Sequence, residues 1–598
     1  MASGARPFSL VLKSARLKAA VWRHRAPLLA GIVAILLANG FALLQPFLLG
    51  RGVDAIVRKQ PDRLPLIFIA IVAAAAADAV FRFLQRYTVN GVARRIENEL
   101  RRDMFEQLER LDQRFFQGMR TGDVMARATN DLSAVQQLLG MGLSSIFNTV
   151  VIFTAAVVLM LWIDWQLTLL SVSLLTLLSL GFLVLGPQIQ KRFLRVQEQF
   201  AALSSKAQEN FSGIRVVKAY VQEEAEQRSF RAINQEYVDA NIAWARINSA
   251  LWPLFGTLAG LAAVVMLYVG GQHVVQHRLT LGQFVQFNTY LILLSWPMIA
   301  LGWVSNLFQQ GAASLNRIEE ILHQTPAVAS PPRPLRPEAV RGELTFENVS
   351  FRYVDEPIFE NLSLHVPAGS TLALVGSTGS GKSTLVRLLA RVYDPQEGRI
   401  LIDGTDIRDL PLDVLRRQIG YVPQEAFLFS ETLAENIMLG APDAPAESVE
   451  RAAELSQLSA DLEQFPNGLQ TMIGERGVTL SGGQKQRTAI ARAVLKDPAI
   501  LVLDDALSSV DTRTEEAILR GLRGFMEGRT SIVIAHRIST IKDADQIVVL
   551  EEGRVVEQGS HARLLGEGGE YARLYERQQL RRELEEEELP GPALGAER

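Results

Sequence analysis

No charged residue occurs between Arg25 and Arg51, and this run of the chain is long enough to cross a lipid bilayer as a helix. A membrane-spanning α-helix needs about 20 consecutive apolar residues. Five further apolar stretches follow, and Asp78 is the only charge inside them. The six predicted spans are 26–50, 64–81, 140–163, 166–188, 247–272 and 279–309. An even number of spans places both chain termini on the same side of the membrane.

The distribution of Lys and Arg predicts which side that is. The stretches 82–131 and 188–246 carry 10 and 9 basic residues, and the segment before the first span is also basic. Cytoplasmic loops of membrane proteins are enriched in Lys and Arg. We therefore expect a multi-pass protein of the inner (plasma) membrane with both termini in the cytoplasm. The first external loop fits less well, because 51–63 carries four basic residues.

The two basic stretches are predicted to be helices that continue the spans into the cytoplasm. Neither contains Pro, and both are rich in Arg, Glu, Gln and Ala, which favour helix. Glycines interrupt the pattern at Gly118 and Gly122 and again at Gly213. Bends are therefore expected near 118–122 and 212–213.

Composition separates the chain into two kinds of domain. Hydrophobic residues make up 48% and charged residues 21% of 598 residues, which indicates an apolar part joined to a charged soluble part. Cys is absent, which excludes disulfides, thiol catalysis and Cys-ligated metals, and a net charge of −3 gives no sign of nucleic-acid binding. The predicted order is a transmembrane domain (1–321), a Pro-rich linker (322–342), an α/β domain (343–575) and a charged tail (576–598).

The α/β domain contains a complete phosphate-binding loop. Residues 376–383 read Gly-Ser-Thr-Gly-Ser-Gly-Lys-Ser, between an apolar strand-like run and an apolar-periodic helix. Backbone N–H groups of such a loop surround phosphates, Lys382 supplies a cation, and the Ser383 hydroxyl can ligate Mg²⁺. The nucleotide-binding candidates here are Gly376, Ser377, Thr378, Gly379, Ser380, Gly381, Lys382, Ser383 and Thr384.

A buried strand that ends in a carboxylate supplies the second part of a nucleotide site. Residues 499–504 read Ala-Ile-Leu-Val-Leu-Asp, and the acid that orients Mg²⁺ is expected at the end of such a strand. Alone this pattern is common, but together with the phosphate loop it marks Asp504 as a binding residue.

The pentapeptide 480–484, Leu-Ser-Gly-Gly-Gln, resembles the signature sequence of ATP-binding cassette (ABC) transporters. The surrounding segments match the other motifs of that family in order. They are Tyr353 (the aromatic that stacks on adenine), Gln424 (the Q-loop), 474–477 (the exporter-specific segment before the signature), Asp511 in 508–511 (the D-loop) and His536 (the switch histidine). The resemblance covers roughly residues 20–575 and is to type IV exporters, which include multidrug, lipid and antigen-peptide exporters.

The resemblance implies a membrane α-helical domain of six spans, with long cytoplasmic extensions, fused to an α/β nucleotide-binding domain. It implies ATP and Mg²⁺ as cofactors, with Mg²⁺ held by Ser383, Gln424 and Asp504. The signature residues Ser481, Gly482, Gly483 and Gln484 would cap the ATP bound by a second half-transporter. The implied catalytic residues are Asp505, His536 and Gln424. The other implied partners are the lipid bilayer and a hydrophobic or amphipathic substrate, with no nucleic acid.

One residue departs from the family pattern. After Asp504 the family has Glu, which polarises the attacking water, whereas this chain has Asp505. The shorter side chain withdraws the carboxylate, and a displacement near 1 Å can cost about 10²-fold in rate. The combination resembles the degenerate subunit of heterodimeric exporters. The alternatives are a homodimer that uses Asp505 as base, or an ATP-gated channel or regulator.

The transported substrate is left open by the sequence. Asp78, Arg82 and Arg86 are spaced by four residues and so share one helix face. They either line a polar cavity that contacts substrate, or they form an i,i+4 ion pair or an anchor at the inner leaflet. Drugs, lipids and peptides are all compatible with these residues.

Overall fold

The computed structural model describes residues 14–354, 356–474, 480–510, 512–535 and 537–587. The chain divides into two compact units. The first comprises Met1–Arg110 and Met119–Gln324, and the second comprises Leu111–Gly118 and Thr325–Arg598.

The first unit is helical in its described residues. Its α-helices are α1 (Ala15–Arg23), α2 (Arg25–Val57), α3 (Leu64–Arg110), α5 (Thr121–Ala126), α6 (Leu132–Gln137), α7 (Leu143–Ile163), α8 (Trp165–Ser212), α9 (Ile214–Ala219), α10 (Glu223–Val265), α11 (Gly271–Val275) and α12 (Leu281–Leu322). Helix α4 (Gln113–Gly118) lies between α3 and α5 in the chain but belongs to the second unit. Short π-helical segments (127–131, 138–142 and 266–270) join α5 to α6, α6 to α7 and α10 to α11.

Each predicted membrane span lies in one of these helical segments. In the described part of the chain, three helices are apolar and long enough to cross a bilayer: Arg25–Val57, Pro61–Arg110 and Thr121–Ile163. The predicted spans 166–188 and 279–309 fall on α8 and α12 apart from two residues, and 247–272 falls on α10 to α11.

The helices extend well beyond the apolar stretches, as the sequence predicts. Helix α3 has 47 residues and α8 has 48, so each is about 70 Å long, more than twice the hydrocarbon thickness of a bilayer. The predicted bends are present, since α4 ends at Gly118 and α8 ends at Ser212 with Gly213 as its cap. An additional break after Arg110 separates α3 from α4 and was not predicted.

Small residues allow α2 and α3 to pack closely. The buried positions of α2 include Gly31, Ala34, Ala38 and Ala42. A β-carbon added to Gly31 would lie 2.7 Å from Val89 Cγ2 of α3, so the helices could not keep this separation. Close packing at small residues is the usual way in which membrane helices associate, because lipid tails provide no hydrophobic drive between them.

The second unit contains two sheets. Its strands are β1 (Leu344–Arg352), β2 (Pro357–Val366), β3 (Thr371–Val375), β4 (Glu397–Ile402), β5 (Thr405–Asp406), β6 (Ile419–Val422), β7 (Ile500–Asp504), β8 (Thr530–Ile534), β9 (Gln546–Glu551) and β10 (Arg554–Gly559). The first sheet is antiparallel, in the order β2-β1-β4-β5. The second has the order β10-β9-β3-β8-β7-β6 and is parallel except for β10, which confirms the predicted largely parallel sheet.

Helices cover the parallel sheet and complete the core. They are α13 (Lys382–Leu389), α14 (Leu412–Arg417), α15 (Leu433–Met438), α16 (Ala446–Leu455), α17 (Ser459–Leu462), α18 (Gly482–Leu495), α19 (Thr512–Met526), α20 (Ile538–Ile541), α21 (His561–Glu567) and α22 (Glu570–Glu587). All residues of β7 and β8 are buried, as expected for parallel strands with both faces covered.

The Pro-rich segment after α12 is part of the second unit and is bonded to its helices and turns. The backbone N–H of Leu335 donates to the carbonyl of Asp409, and Ser330 Oγ accepts from Leu412 N–H. The Arg391 guanidinium, only 3% exposed as a residue, donates to the carbonyl of Ala329. These hydrogen bonds hold an otherwise extended segment in place.

Candidate nucleotide site

The phosphate loop joins β3 to α13, and its three glycines all have a positive φ, two of them in close contact with neighbouring residues. Gly376 has φ 149° and Gly381 has φ 101°, conformations that L-residues rarely adopt. A β-carbon on Gly376 would lie 2.1 Å from the carbonyl oxygen of Leu550, and one on Gly381 would lie 2.6 Å from the Phe359 ring. The loop therefore turns tightly above the carboxyl end of β3 and opens α13, where N–H groups point toward a phosphate.

Lys382 is the first residue of α13 and is folded over this loop. Its ammonium donates to the carbonyls of Gly376 (2.9 Å) and Ser377 (2.7 Å) and lies 3.4 Å from Ser380 Oγ. The residue is 7% exposed. Burial lowers the pKa of Lys382, and the charges of Asp504 and Asp505 only partly oppose this. The Lys382 ammonium is thus held among the loop's backbone groups, close to the carboxylates of Asp504 and Asp505.

Asp504, at the end of β7, receives hydrogen bonds from two hydroxyls. Ser383 Oγ donates to its Oδ1 at 2.8 Å and Tyr421 to its Oδ2 at 3.1 Å, and Asp504 is only 1% exposed. Burial, reinforced by the Asp504 charge, raises the pKa of Tyr421 to about 12. Tyr421 therefore remains a neutral donor at physiological pH.

Asp505 has a left-handed backbone, with φ 49°. Aspartate tolerates this conformation better than most residues. Its N–H donates to the carbonyl of Ile534 at 2.9 Å, which ties the turn to the neighbouring strand β8. Its Oδ2 accepts from the Gln424 side-chain amide at 3.3 Å. The structure therefore brings Gln424 and Asp505 together at the edge of the sheet, next to the Ser383–Asp504 pair.

The segment 481–484 forms the N-terminus of α18. The Ser481 hydroxyl accepts from the Gln484 N–H (3.2 Å), and the Gln484 side chain accepts from the Ser481 N–H (3.0 Å), which together form a capping box. Gly482 and Gly483 lie against Ser509, where an added β-carbon would approach within 3.3 and 3.2 Å. Within the described residues, no hydrogen bond links 481–484 to the phosphate loop.

Two family models match the chain in the same order as its two units. The model for the ABC transporter transmembrane region matches residues 28–298, and the model for the ABC transporter matches 359–508. A probable multidrug resistance ABC transporter ATP-binding/permease protein, YheI of Bacillus subtilis, is 38% identical over 92% of this chain and 94% of the relative. This chain is an ABC transporter. Its fold, predicted from sequence, is thereby confirmed as a membrane-helical region followed by an ABC ATPase domain.

Other similar proteins extend the comparison. The multidrug resistance-like ATP-binding protein MdlA of Escherichia coli is 36% identical over 94% of this chain and 96% of the relative. An ATP-dependent lipid A-core flippase of Syntrophus aciditrophicus is 34% identical over 93% of each chain. A solved structure described as a bacterial Atm1-family ABC exporter with ATP bound is 33% identical, with a TM-score of 0.79 over 93% of this ABC transporter and 99% of that chain.

Tyr353 of the transporter packs beside α13. Its hydroxyl is 3.1 Å from Thr384 Oγ1, and Arg387 donates to it at 3.4 Å. Its ring meets the rings of Phe351 and Tyr393 edge to face, with centroids 5.0 and 5.3 Å apart. These contacts fix the ring near the start of the phosphate-loop helix, where the sequence analysis expected an adenine-stacking aromatic.

Two residues of this site were not singled out from the sequence. Tyr421 precedes Gln424 in the same short segment, and its role depends on the pairing of β6 with β7. Gln486, 2% exposed, lies on α18 and contacts both Gln424 and Ser508. A polar residue within the apolar face of a helix is the sequence signal that could have marked Gln486.

Two predicted site residues, Asp511 and His536, lie outside the described residues. The same holds for 475–477 of the segment before the signature. Their assigned roles stay predictions.

The buried oxygens around Asp504 fit a magnesium ion. Mg²⁺ prefers oxygen ligands and is commonly bound by one or two carboxylates together with phosphate oxygens and water. Asp504 and Ser383 supply such oxygens 2.8 Å apart. The side-chain amide nitrogen of Gln424, the third predicted ligand, donates to Asp505. The oxygen that would bind Mg²⁺ belongs to the same amide group.

Proposed function

We propose that this chain is one half of an exporter that moves hydrophobic or amphipathic molecules out across the plasma membrane by alternating access. ATP binding and hydrolysis in the cytoplasmic domain 343–575 would drive the cycle. The support is the transporter fold together with relatives described as multidrug resistance proteins and a lipid A-core flippase. The predicted topology, with six spans and both termini cytoplasmic, belongs to the same proposal.

A complete ATP site requires two chains in this proposal. Ser481–Gln484 form the N-terminus of α18, where the N–H groups of Gly482 and Gly483 lie outside the capping box, and the segment makes no hydrogen bond to the phosphate loop within the described residues. A helix N-terminus with glycines suits a phosphate group. We therefore assign this segment to the ATP that is bound by a second half-transporter.

The residues around Asp504 would bind ATP and shield its charge. Lys382 would exchange its bonds to the loop carbonyls for the β- and γ-phosphates, and Ser383 and Asp504 would hold Mg²⁺. When bound, Mg²⁺ would supply positive charge that stabilises the transferred phosphoryl group. Tyr421 would keep the Asp504 carboxylate oriented, because its hydroxyl stays protonated.

Asp505 would make hydrolysis at this chain's own site slow. Hydrolysis forms a bond from a water oxygen to the γ-phosphorus and breaks the bond to the β–γ bridging oxygen, while a carboxylate orients the water and accepts its proton. Asp505 is one methylene shorter than Glu and is hydrogen-bonded to Gln424 at the turn. We infer that the fast site is formed by a different partner chain with Glu at this position, capped by Ser481–Gln484.

The ATPase activity of defined complexes tests this proposal. This chain is purified alone and with a candidate partner half-transporter that has Glu at the position of Asp505, both in lipid nanodiscs. We expect Mg-ATPase activity only from the pair. A Glu→Gln change in the partner should abolish it, whereas Asp505→Ala in this chain should reduce it by less than about threefold.

Asp505→Glu is the matched control, because it restores the missing methylene while keeping the charge. In the asymmetric pair it should add ATP turnover that survives the partner's Glu→Gln change. If this chain alone hydrolyses ATP, and Asp505→Ala abolishes that activity, the transporter is a homodimer with an aspartate base and the partner assignment is wrong.

A further inference from the structure

The segment that follows β8 leaves the parallel sheet at the edge where the nucleotide is expected to bind. In the sheet, β8 lies between β3, which leads into the phosphate loop, and β7, which ends at Asp504. Ligands of such sheets bind at the carboxyl ends of the strands. Residues 535–538, here called the switch segment, connect β8 to the start of α20, and His536, the predicted switch histidine, is the second of them.

The switch segment lies beside Asp505. The backbone N–H of Asp505 donates to the carbonyl of Ile534, the last residue of β8, at 2.9 Å. Asp505, Ala535 and Arg537 also line one cavity, which has a volume of about 230 Å³. A shift of the switch segment would therefore change the geometry around the Asp505 carboxylate.

Glu515 on α19 is one of two residues that hold the switch segment. Its carboxylate accepts hydrogen bonds from the Arg537 guanidinium and from Thr540 Oγ1, and Glu515 is 3% exposed. A buried carboxylate needs such partners, because an unpaired charge inside a protein is strongly destabilising. These two bonds fix the end of the switch segment and the short helix α20 that follows it.

Gln578 on α22 is the second residue that holds the switch segment, from 40 positions further along the chain. Its side-chain Oε1 accepts from the Ile538 N–H at 2.9 Å. Ile538 is the first residue of α20 and is 4% exposed, and the N-cap residue Arg537 makes no side-chain cap hydrogen bond. The first N–H groups of a helix have no partner within it, and a buried N–H without a partner destabilises the fold. The Gln578 amide therefore caps α20 in place of a local residue.

Helix α22 is fixed to the domain near its own start, which gives Gln578 a defined position. Glu557 of β10 accepts from the backbone N–H of Tyr571 at 3.1 Å. The fully buried Tyr571 is also hydrogen-bonded through its hydroxyl to His561 Nδ1 at 2.7 Å. Tyr571 and Ile538 belong to one apolar cluster. Gln578 follows Tyr571 by seven residues, about two helical turns, and so lies on the face of α22 that packs against this cluster.

We propose that Gln578 is a positioning residue for ATP hydrolysis, because its bond to the Ile538 N–H sets the place of the switch segment and thereby of His536. Glu515 secures the same segment through Arg537, so that α19 and α22 act on it together. The C-terminal helix α22 is then part of the apparatus that hydrolyses ATP in this chain's own site. This inference rests on the proposed function and on the catalytic role that the sequence predicts for His536.

Hydrogen exchange tests the contact independently of catalysis. The complete transporter in nanodiscs, without nucleotide, is compared with its Gln578→Leu, Gln578→Glu and Gln579→Leu variants. In Gln578→Leu the Ile538 amide, followed in peptides from 535–541, should exchange at least about tenfold faster, because it loses its acceptor, whereas Gln578→Glu keeps an acceptor and most of the protection. Gln579→Leu is the matched control, since the Gln579 side chain donates to the Tyr575 hydroxyl within α22. Unchanged exchange in Gln578→Leu overturns the proposal.

Steady-state kinetics test the positioning role. Hydrolysis in this chain's own site is isolated by combining Asp505→Glu with the partner's Glu→Gln change. In that background Gln578→Leu should lower kcat about tenfold and change KM for ATP less than about twofold, because the phosphate loop is intact while the switch segment shifts. Gln578→Glu should bring kcat to within about threefold of the background, and Gln579→Leu should leave it unchanged. A rise in KM without a fall in kcat, or equal losses in Gln578→Leu and Gln579→Leu, refutes the positioning role.

A double-mutant cycle with His536 tests the route of the effect. His536→Ala alone should lower kcat, and adding Gln578→Leu should lower it by less than about twofold more, since no histidine is then left to position. If the two losses simply multiply, Gln578 acts by another route and the proposal is wrong.

The outcomes separate this inference from the proposed function. If Asp505→Glu gives no turnover that survives the partner's Glu→Gln change, the asymmetric pair is refuted, and the Gln578 variants are compared in whichever complex hydrolyses ATP, with the same expectations. If His536→Ala leaves kcat unchanged, the predicted role of His536 is wrong, and the positioning role of Gln578 is refuted with it even where hydrogen exchange confirms the contact.

Discussion

The side-chain oxygen of Gln486 accepts a 3.1 Å hydrogen bond from the backbone N–H of Ser509. The amide nitrogen of the same side chain donates to Ser508 Oγ at 3.2 Å and lies 3.5 Å from the carbonyl oxygen of Gln424. One buried amide therefore connects the signature helix α18, the segment after Asp505, and the segment that carries Gln424. Gln486 positions these three segments relative to one another.

Replacing Gln486 by Leu should lower kcat for ATP hydrolysis by about tenfold, because Ser509 N–H and Ser508 Oγ lose a buried partner and their segment shifts. KM for ATP should change little, since Gln486 does not contact the phosphate loop in the described residues. Lys485→Gln, at the adjacent position of α18, is the control. Equal losses in both variants would show general damage to the helix rather than a positioning role.

Removing the Tyr421 hydroxyl should weaken the support of Asp504. Tyr421→Phe deletes one of two hydroxyl donors to a buried carboxylate, and a hydrogen bond to a charged group contributes about 1.5–3 kcal/mol. We expect a lower Tm and weaker ATP binding, measured by scanning fluorimetry with and without ATP. Since the pKa of Tyr421 is raised to about 12, the wild type and Tyr421→Phe should share the same pH profile of ATP binding between about pH 6 and 9. A difference within that range would contradict the raised pKa.

The network around Asp131 should stabilise the first unit in a pH-dependent way. Ser314 Oγ and the Arg317 guanidinium donate to its carboxylate at 2.9 and 2.8 Å. Burial alone would raise the pKa of Asp131, but these bonds and the Arg317 charge lower it below 3.8. The contribution is therefore fully present above about pH 4 and is lost as pH falls through the native pKa.

A double-mutant cycle at pH 7 measures this network. Arg317→Met leaves the carboxylate without its cation and should lower Tm more than Asp131→Asn combined with Arg317→Met, with a coupling of about 1–3 kcal/mol. Arg102→Gln serves as a surface control. Additive effects of the two changes would mean that the pair contributes no interaction energy.

Asp54 should hold the C-terminal end of α2 and the N-terminal end of α12 together. Its carboxylate accepts from Thr280 Oγ1 and from the Gly282 N–H, both at 2.8 Å, at the N-terminus of α12. Asp54→Ala should destabilise the transporter by about 1–2 kcal/mol, and Asp54→Asn by less, because Asn keeps an acceptor but loses the charge. An Asp54→Asn variant as stable as the wild type in thermal denaturation would exclude a charge contribution.

Gly282 lets α2 and α12 approach closely beside that contact. A β-carbon at this position would lie 2.1 Å from the carbonyl oxygen of Gly50, so Gly282→Ala should force α2 and α12 apart and lower Tm more than Asp54→Ala. Gly271→Ala, where nothing lies within 4 Å of the added carbon, is the matched control in the same unit. A Tm for Gly282→Ala close to that of Gly271→Ala would contradict this close approach.

Much of the architecture follows from local sequence. Runs of apolar residues predict membrane helices because the free energy of transferring a residue into lipid depends mainly on that residue's own side chain. The phosphate loop is recognisable because φ above zero requires Gly376 and Gly381 at set positions between a strand and a helix. The long helical extensions and their breaks at Gly118 and Gly213 follow from the absence of Pro and the placement of Gly.

Only the tertiary structure decides which helices pack against each other and which polar side chains pair. Hydropathy ended the second predicted span at Phe81 because charges begin there, and only the fold shows that Gly31 and Gly140 pack against residues 88–93 of α3. Likewise Tyr421, Gln424 and Gln486 acquire their partners from strand pairing and helix packing, across separations of 22 to 83 residues. The sequence determined which segments are helices, strands and phosphate loop, because those depend on neighbouring residues. Which helices pack together, and which polar groups share Asp504 and Asp505, depend on long-range contacts, and only the folded chain specifies them.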